Sequence, residues 1–326
     1  MKKEFIILIP IILLNVLGIY YLQDSYQIKQ ILWLILGLVT FLGMTKIKEK
    51  HLFKISIFLY LLVLILLVVV LFFPYTNGSR GWFKFGSIYF QPAELMKFCL
   101  IFLTISLISK QIKNKILFLL IYIIPSILTF LEPDTGAVII YGLIFLYFLP
   151  YFFSKKQIIG ILILGTTLFI GLTFFYVYQR DKFIDIFSTS IYYRIDRLLS
   201  FKNQDNMQVN NALISIAAGK LLYFPEANND FFFAYLVSNN FINFFIILSC
   251  YFLILLILTV SKRKYAFLVA FLIFCQIIIN IGMNLRLLPV IGLPLPFLSY
   301  GGSHTITSFM TLGLVMRKTS NSHNMS

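Results

Sequence analysis

Apolar residues come in long runs along this chain, and short polar segments separate them. The runs lie at roughly 5–22, 29–45, 55–73, 91–108, 116–131, 136–153, 157–178, 231–260, 265–283 and 297–316. Most of them approach the ~20 residues that an α-helix needs to cross the hydrocarbon core of a bilayer. The pattern therefore predicts an all-α polytopic membrane protein with about ten transmembrane helices. Because little sequence remains between the runs, we expect residues 1–326 to form a single transmembrane domain.

The last apolar run opens with a segment that a membrane helix should not tolerate. It reads Pro294-Leu-Pro-Phe-Leu-Ser-Tyr-Gly-Gly-Ser303, with two prolines and two glycines. Lipid cannot satisfy the backbone N–H and C=O groups that such residues release, so the segment must be buried in protein or line a polar cavity. We therefore expect an interior with a function rather than a bundle of simple anchors.

Composition and charge support this class and give an orientation. Hydrophobic residues make up 60% of the chain, charged residues only 12%, and the mean hydropathy is +0.92, which excludes an ordinary soluble domain. Placing the N-terminus in the cytoplasm makes every short inner segment basic, as the positive-inside rule requires. The basic residues on that side are Lys2, Lys3, Lys46, Lys48, Lys50, Lys54, Lys110, Lys113, Lys115, Lys155, Lys156, Lys262, Arg263, Lys264, Arg317 and Lys318.

Both termini are then cytoplasmic, and the one long outer loop lies at about 179–230, between spans seven and eight. The net charge of +15 is explained by lysines that anchor the topology, so we predict a membrane location and no nucleic-acid partner. The histidines lack zinc-ligand spacing, and no phosphate-binding GxxxxGK[ST] loop occurs.

Polar residues gather in segments that this topology places outside. Glu94 and Lys97 lie one turn apart at the start of the fourth run. A charge inside a membrane requires a partner, so the two residues either form a structural ion pair or present a basic group to an anionic ligand. Asp134 either caps the helix of the sixth run or belongs to the same site. Asp230 either caps the helix of the eighth run or supplies a functional carboxylate at the outer end of that run.

The long outer loop contains a segment with apolar residues at helical spacing. This segment, 191–201, carries Arg194 and Arg197 three residues apart. It is typical of a helix that lies in the membrane interface with its arginines at the level of the lipid phosphates.

Four blocks of sequence, in order, resemble the SEDS family, which contains FtsW, RodA and SpoVE. They are Gly78-Ser-Arg-Gly-Trp82 with Gln91-Pro-Ala-Glu-Leu-Met-Lys97; Glu132-Pro-Asp-Thr-Gly136; Pro225-Glu-Ala-Asn-Asn-Asp-Phe-Phe-Phe-Ala234; and Asn280-Ile-Gly-Met283 with Leu288-Pro-Val-Ile-Gly-Leu-Pro-Leu-Pro-Phe-Leu-Ser-Tyr-Gly-Gly-Ser303. The last block is close to a family signature. With about ten spans in the same order, the resemblance covers nearly the whole chain.

The resemblance implies a peptidoglycan glycosyltransferase of the bacterial cytoplasmic membrane. Such an enzyme polymerises lipid II on the extracytoplasmic face, with inversion at the anomeric carbon, in cell division, elongation or sporulation. It also implies that Asp230 is the catalytic residue and that a class B penicillin-binding protein is the partner. The residues that it implies in substrate binding are Arg80, Trp82, Glu94, Lys97, Asp134, Arg194, Arg197, Ser299, Tyr300 and Gly301. The pyrophosphate could be held by Arg80, Lys97, Arg194 and Arg197 or by a divalent cation, and no other cofactor is implied.

Departures from the family pattern cluster near this site. Gly81 stands where the family commonly has an arginine, only Leu-Leu-Tyr-Phe separates Lys220 from Pro225, and Val237-Ser-Asn-Asn240 replaces an acidic pair. Two further functions therefore stay open. One is a lipid II transporter or flippase, and the other is a degenerate SEDS scaffold or regulator that lacks catalysis.

Overall fold

The structure is a computed structural model that describes residues 2–74, 80–86, 88–187, 192, 195–196, 198–199, 201, 206–220, 222 and 226–317. Its described residues form thirteen α-helices, preceded by a short 3-10 helix at Lys2–Ile7. The first eight are α1 Leu8–Tyr21, α2 Asp24–Lys46, α3 Glu49–Val70, α4 Pro92–Ser109, α5 Lys115–Leu131, α6 Thr135–Phe152, α7 Lys155–Tyr178 and α8 Arg180–Phe187. The others are α9 Met207–Ala218, α10 Phe232–Asn239, α11 Ile242–Val260, α12 Ala266–Asn284 and α13 Gly302–Met316.

The helices confirm the predicted class, a helical multi-pass membrane protein. Within the described residues, seven helices are long and apolar enough to cross a bilayer: α2, α3, α4, α6, α7, α11 and α12. Two shorter apolar helices cover Phe5–Tyr21 and Lys115–Leu131. The number of ten spans and the cytoplasmic position of both termini stay predictions.

Helix α4 is the centre of the bundle. Nearly every side chain from Pro92 to Leu107 is buried, because α3, α5, α6 and α13 pack around it. This position suits its sequence, since Glu94, Lys97 and Thr104 are polar groups that lipid would not accommodate. Helix α7 is the opposite case: Tyr176 is its single buried residue.

The last helix closes the bundle against α2 through glycines. A Cβ added to Gly313 would lie 2.5 Å from the Phe41 carbonyl oxygen, and one added to Gly302 would lie 2.6 Å from the Trp33 ring. Such small residues let membrane helices approach closely. A buried hydrogen bond from Gln30 Nε2 to Thr305 Oγ1 (3.2 Å) joins the same two helices.

Two predicted spans differ from the structure. The run 231–260 is divided into α10 and α11, because Asn240 is extended (φ −156°, ψ 118°) and its Oδ1 accepts a hydrogen bond from the Ile242 N–H (2.9 Å). The run 297–316 becomes helical only at Gly302, since Pro294 and Pro296 lack the N–H groups that a helix requires.

A short β-hairpin is present where the sequence predicted no strand. Strands β1 Phe83–Phe85 and β2 Ile88–Phe90 pair antiparallel, with Phe83 opposite Phe90. The hairpin leads directly into α4. The predicted interfacial helix at 191–201 falls largely outside the described residues.

Candidate active site

Four segments that are distant in the sequence meet at one end of the bundle. They are the start of α4, the turn 132–134 between α5 and α6, the turn 226–231 before α10, and the non-helical segment 285–301 between α12 and α13. The topology predicted from the sequence places this end outside.

The start of α4 is tied to α6 and α13 by a single glutamine. Gln91 Nε2 donates to Asp134 Oδ2 (2.7 Å), and its backbone N–H donates to Ser303 Oγ (3.0 Å). Pro92 then occupies the first helical position, where its missing N–H leaves no bond unmade. These bonds fix the depth and rotation of α4, and with them the positions of Glu94 and Lys97.

Glu94 is the centre of a buried group of three residues. Lys97 Nζ lies 2.6 Å from Glu94 Oε1, and His304 Nδ1 lies 3.2 Å from Glu94 Oε2. Each of the three residues is only 5% exposed. A buried ion pair overcomes its desolvation only when further hydrogen bonds satisfy its atoms, and His304 supplies one of them. The predicted Glu94–Lys97 contact is therefore confirmed, while its role in substrate binding stays a prediction.

Asp134 acts as a helix cap and also joins the site. Its Oδ1 accepts a hydrogen bond from the Ala137 N–H (2.8 Å) at the start of α6, which confirms the capping interpretation. Its other oxygen accepts from Gln91, as described above. Burial raises the pKa of Asp134 above its ordinary value, although Lys97 acts in the opposite direction.

Asp230 lies in the turn 226–231, and its main chain is held from α12. Its carbonyl oxygen accepts hydrogen bonds from Asn280 Nδ2 (2.9 Å) and Asn284 Nδ2 (3.0 Å). Asn284 Oδ1 also accepts from the Ala234 N–H (3.2 Å) at the start of α10. The capping interpretation of Asp230 is wrong, because the N-cap of α10 is Phe231 and no side chain caps that helix. The Asp230 carboxyl is therefore not used to begin the helix.

The surroundings of Asp230 shift its titration toward neutral pH. The residue is only partly exposed, and burial raises its pKa to about 7. The carboxylates of Glu226, Asp134 and Glu94 raise the pKa further, and the positive charge of Lys97 lowers it. Asp230 therefore lies within electrostatic reach of Glu94 and Lys97. Gly292 lies against the acid, since a Cβ added there would be 3.4 Å from Asp230 Oδ2.

The Pro- and Gly-rich stretch 294–303 is mostly buried, as the sequence predicted. It supports the turn that carries Asp230. Ser299 Oγ donates to the Asn229 carbonyl (2.8 Å) and accepts from the Leu295 N–H (3.0 Å). The Tyr300 N–H donates to the Asn228 carbonyl (3.0 Å). The Gly301 N–H donates to Gln30 Oε1 (3.3 Å), which connects the segment to α2.

Two other residues predicted to bind substrate make their described contacts in and beside the β-hairpin. Arg80 Nη1 donates to the Leu71 carbonyl (3.4 Å) just after α3. The Trp82 ring packs edge-on against Tyr89, with 6.4 Å between ring centroids. Arg194 and Arg197 lie outside the described residues. In the described part of the chain, no three His, Cys, Asp or Glu side chains group as a metal site, and a divalent cation stays a prediction.

Three side chains of the site were not predicted from the sequence: His304, Asn280 and Asn284. A signal was present for each of them. His304 is an ionisable residue in an apolar run, which by itself marks a functional position in a membrane protein. Asn280 and Asn284 are four residues apart, and therefore share one face of an otherwise apolar helix.

Comparison with known proteins gives consistent results across nearly the whole chain. The family model for FtsW, RodA and SpoVE, described as "Cell cycle protein", matches residues 4–324. A probable peptidoglycan glycosyltransferase FtsW from Marinomonas mediterranea is 31% identical, over 89% of this chain and 78% of its own length. The peptidoglycan glycosyltransferase MrdB of Escherichia coli K12 is 26% identical, over 86% of this chain and 82% of its own length.

Solved structures share the fold. One, described as "Structural coordination of polymerization and crosslinking by a peptidoglycan synthase complex", aligns with a TM-score of 0.72 at 23% identity and covers 95% of both chains. The crystal structure of the rod shape determining protein RodA of Thermus thermophilus aligns with a TM-score of 0.65 at 22% identity, over 96% of this chain and 95% of its own. Both alignments extend over nearly all the helices described above.

Proposed function

The chain belongs to the FtsW/RodA/SpoVE family of cell cycle proteins, and on this premise we propose that it is a peptidoglycan glycosyltransferase that polymerises lipid II. The observation that carries the proposal is the position of Asp230. Its main chain is fixed by two asparagines. Its carboxyl lies against Gly292, where an added Cβ would be 3.4 Å from Oδ2, and is within electrostatic reach of Glu94 and Lys97. The names of the relatives as peptidoglycan glycosyltransferases support the same activity.

In the proposed reaction Asp230 is the general base. The acceptor 4-hydroxyl attacks the anomeric carbon of the donor sugar, and its proton passes to the Asp230 carboxylate. The bond from the anomeric carbon to the pyrophosphate breaks, and the pyrophosphate leaves with the electron pair. Attack from the opposite side inverts the anomeric carbon. A pyrophosphate leaves without being protonated, so this reaction requires one carboxylate rather than the pair of a glycosidase.

A raised pKa suits Asp230 to this role. A base works best when its pKa lies near the working pH, where it is largely deprotonated and still accepts a proton readily. A positioned base of this kind contributes about 10²–10⁴ in rate. The value of about 7 for Asp230 meets this condition, whereas a solvated aspartate with a pKa of ~3.9 would be a weak base.

The other proposed site residues bind and orient the two lipid substrates. Lys97, held by Glu94, supplies positive charge beside the acid. Asp134 fixes the start of α4. Ser299 and Tyr300 support the turn with Asp230, and Gly301 joins their segment to α2. Arg80, Trp82, Arg194 and Arg197 would contact the substrate from the outer segments.

We propose that the activity is on the outer face of the bacterial cytoplasmic membrane and that residues 1–326 form a single domain. The polymer would serve cell division, elongation or sporulation. We further propose a class B penicillin-binding protein as the partner. The similar solved structure, described as a peptidoglycan synthase complex that coordinates polymerisation and crosslinking, supports such a partner.

Polymerisation of purified lipid II tests the proposal. The detergent-solubilised protein, together with its co-purified partner, should give glycan ladders, and Asp230→Ala should abolish them at equal expression and equal melting temperature. Ladders that persist in the variant would rule out Asp230 as the base. Movement of lipid II between leaflets that survives Asp230→Ala would favour the transporter, and binding of lipid II without any polymer from wild type would favour the scaffold or regulator.

A further inference from the structure

The segment after α12 contains an arginine in a backbone conformation that ordinarily favours glycine. Arg286 has a φ of 58°. Its N–H donates to the Met283 carbonyl (3.2 Å), while the N–H groups of Leu287 and Leu288 donate to the Gly282 carbonyl (2.8 and 3.1 Å). Helices commonly close in this way through a left-handed residue, and glycine is the usual residue there because it has no Cβ. Residues held in such conformations cluster at functional sites, which points to a functional role for the guanidinium.

Arg286 lies beside the residues that hold the candidate base. Asn284, two residues earlier, donates to the Asp230 carbonyl (3.0 Å). The guanidinium donates from Nη1 to Asn210 Oδ1 (3.0 Å) on α9. Helix α9 in turn packs against Phe231, the residue after the acid. The arginine is therefore located where α9 meets the turn that carries Asp230.

An anionic substrate beside Asp230 would meet three carboxylates, so cations are needed to bind it there. Glu226, Asp134 and Glu94 are the carboxylates that act on it, and Lys97, the cation that opposes them, already bonds Glu94 at 2.6 Å. A lipid pyrophosphate would bring additional negative charge to this place. Arginine is the side chain best suited to it, because its planar guanidinium binds phosphate oxygens through two parallel hydrogen bonds and stays charged.

We propose that Arg286 binds the pyrophosphate of the donor lipid and stabilises the negative charge that develops on it. The inference rests on the proposed function and adds a phosphate-binding residue to it. As the bond from the anomeric carbon to the pyrophosphate oxygen breaks, the electron pair moves to that oxygen. The proton of the acceptor hydroxyl passes to Asp230. Arg286 donates hydrogen bonds and transfers no proton, because a guanidinium does not deprotonate in proteins.

Substitution by glycine separates this role from a structural one. Arg286→Gly removes the cation but relieves the left-handed backbone, so the folded state should be as stable as wild type or more stable. Gln111→Gly is the matched control, because Gln111 has the same φ of 58° and lies beyond the end of α4 that is remote from the site. Arg286→Lys keeps the positive charge but loses the planar guanidinium that forms two parallel hydrogen bonds.

The probe is geranylgeranyl pyrophosphate in detergent, with binding measured by calorimetry and melting temperatures recorded for every variant. We expect Arg286→Gly to bind at least about tenfold more weakly than wild type, as loss of a charge-assisted hydrogen bond implies. Arg286→Lys should be intermediate, and Gln111→Gly should bind like wild type. Both glycine variants should melt at or above the wild-type temperature.

Three results would overturn the inference. The first is equal binding of the probe by Arg286→Gly and wild type, and the second is an absence of probe binding by wild type. The third is a loss of probe affinity in Asn210→Ala as large as that in Arg286→Gly. The last result would show that the arginine only fastens α9. If wild type binds the probe through Arg286 but forms no polymer from lipid II with its partner, the proposed function fails and this inference stands.

Discussion

Burial and the nearby charges raise the pKa of Asp230 to about 7, so its carboxyl titrates near neutral pH. Burial has the largest effect, and the nearby carboxylate of Glu226 is the next. Glu226 has a φ of 57° and accepts a hydrogen bond from Asn229 Nδ2 (2.6 Å), so its position in the turn is fixed. Burial and a second acid four residues away thus set the strength of the proposed base.

The pH dependence of polymerisation should report the raised pKa of Asp230. A general base must be deprotonated, so kcat/KM should rise with pH and level off above the pKa of about 7. Below that value the rate should fall about tenfold per pH unit. Initial rates of lipid II polymerisation between about pH 5 and 9 give this pH profile of kcat/KM. A rate that stays constant down to pH ~5 would contradict the raised pKa, because an ordinary aspartate titrates near ~3.9.

Glu226→Gln should move the same profile. The amide removes one negative charge but keeps an oxygen that can accept from Asn229. The pKa of Asp230 should then fall, and the acid limb of the kcat/KM profile should shift to lower pH. A shift to higher pH, or none, would show that Glu226 does not act on the base.

The asparagine that holds the main chain of Asp230 should affect turnover more than substrate binding. Asn284→Leu keeps the size of the side chain but removes its bonds to the Asp230 carbonyl and to the Ala234 N–H. A displacement of a catalytic group by about 1 Å costs on the order of 10² in rate. We expect kcat to fall by about 10–100-fold with KM nearly unchanged. A change in KM alone would argue against a positioning role for Asn284.

At the scale of the elements, the site depends on how closely α13 approaches α2. His304 is near the start of α13, so its bond to Glu94 requires that helix to keep its depth and rotation. The glycines at 302 and 313 set the distance to α2, because each lies where a Cβ would overlap atoms of that helix. The packing of α13 against α2 therefore controls the position of a buried polar group at the end of the bundle.

Gly313→Ala should destabilise the protein, and Gly160→Ala should not. A Cβ at Gly313 would overlap the Phe41 carbonyl oxygen at 2.5 Å, whereas nothing lies within 4 Å of a Cβ at Gly160. Overpacking of this kind costs about 1–3 kcal/mol, while alanine is favoured over glycine in a helix by about 1 kcal/mol. Melting temperatures in detergent should thus move in opposite directions. Equal effects of the two substitutions would contradict the close packing of α2 and α13.

At the scale of the whole molecule, every segment of the site should face the outer side. Lys84→Cys places a thiol in the exposed β-hairpin, and Gln111→Cys places one at the opposite end of α4. An impermeant maleimide should label Lys84→Cys in intact cells, and should label Gln111→Cys only after the membrane is permeabilised. The native cysteines lie in helices, where Cys99 and Cys250 are buried. The reverse labelling pattern would invert the predicted orientation.

The sequence predicted the membrane class and most of the helices because a bilayer imposes one length and one polarity on every span. It predicted the break before α13 correctly, since the prolines and glycines there are incompatible with a continuous helix. It missed the break at Asn240, because a single polar residue changes the hydropathy of a long apolar run very little. It also missed His304 and the two asparagines, since their roles arise from contacts between segments up to 210 residues apart.

The two asparagines of α12 recognise the main chain of residue 230 rather than its side chain. The turn should therefore keep its shape when the carboxyl is removed. Under the proposed function, a cell that expresses Asp230→Ala beside the normal chain would contain folded, inactive copies that still occupy the substrate lipid and the proposed partner. In genetic terms, the structure predicts that loss of this acid is dominant, whereas substitutions that break the bundle are recessive.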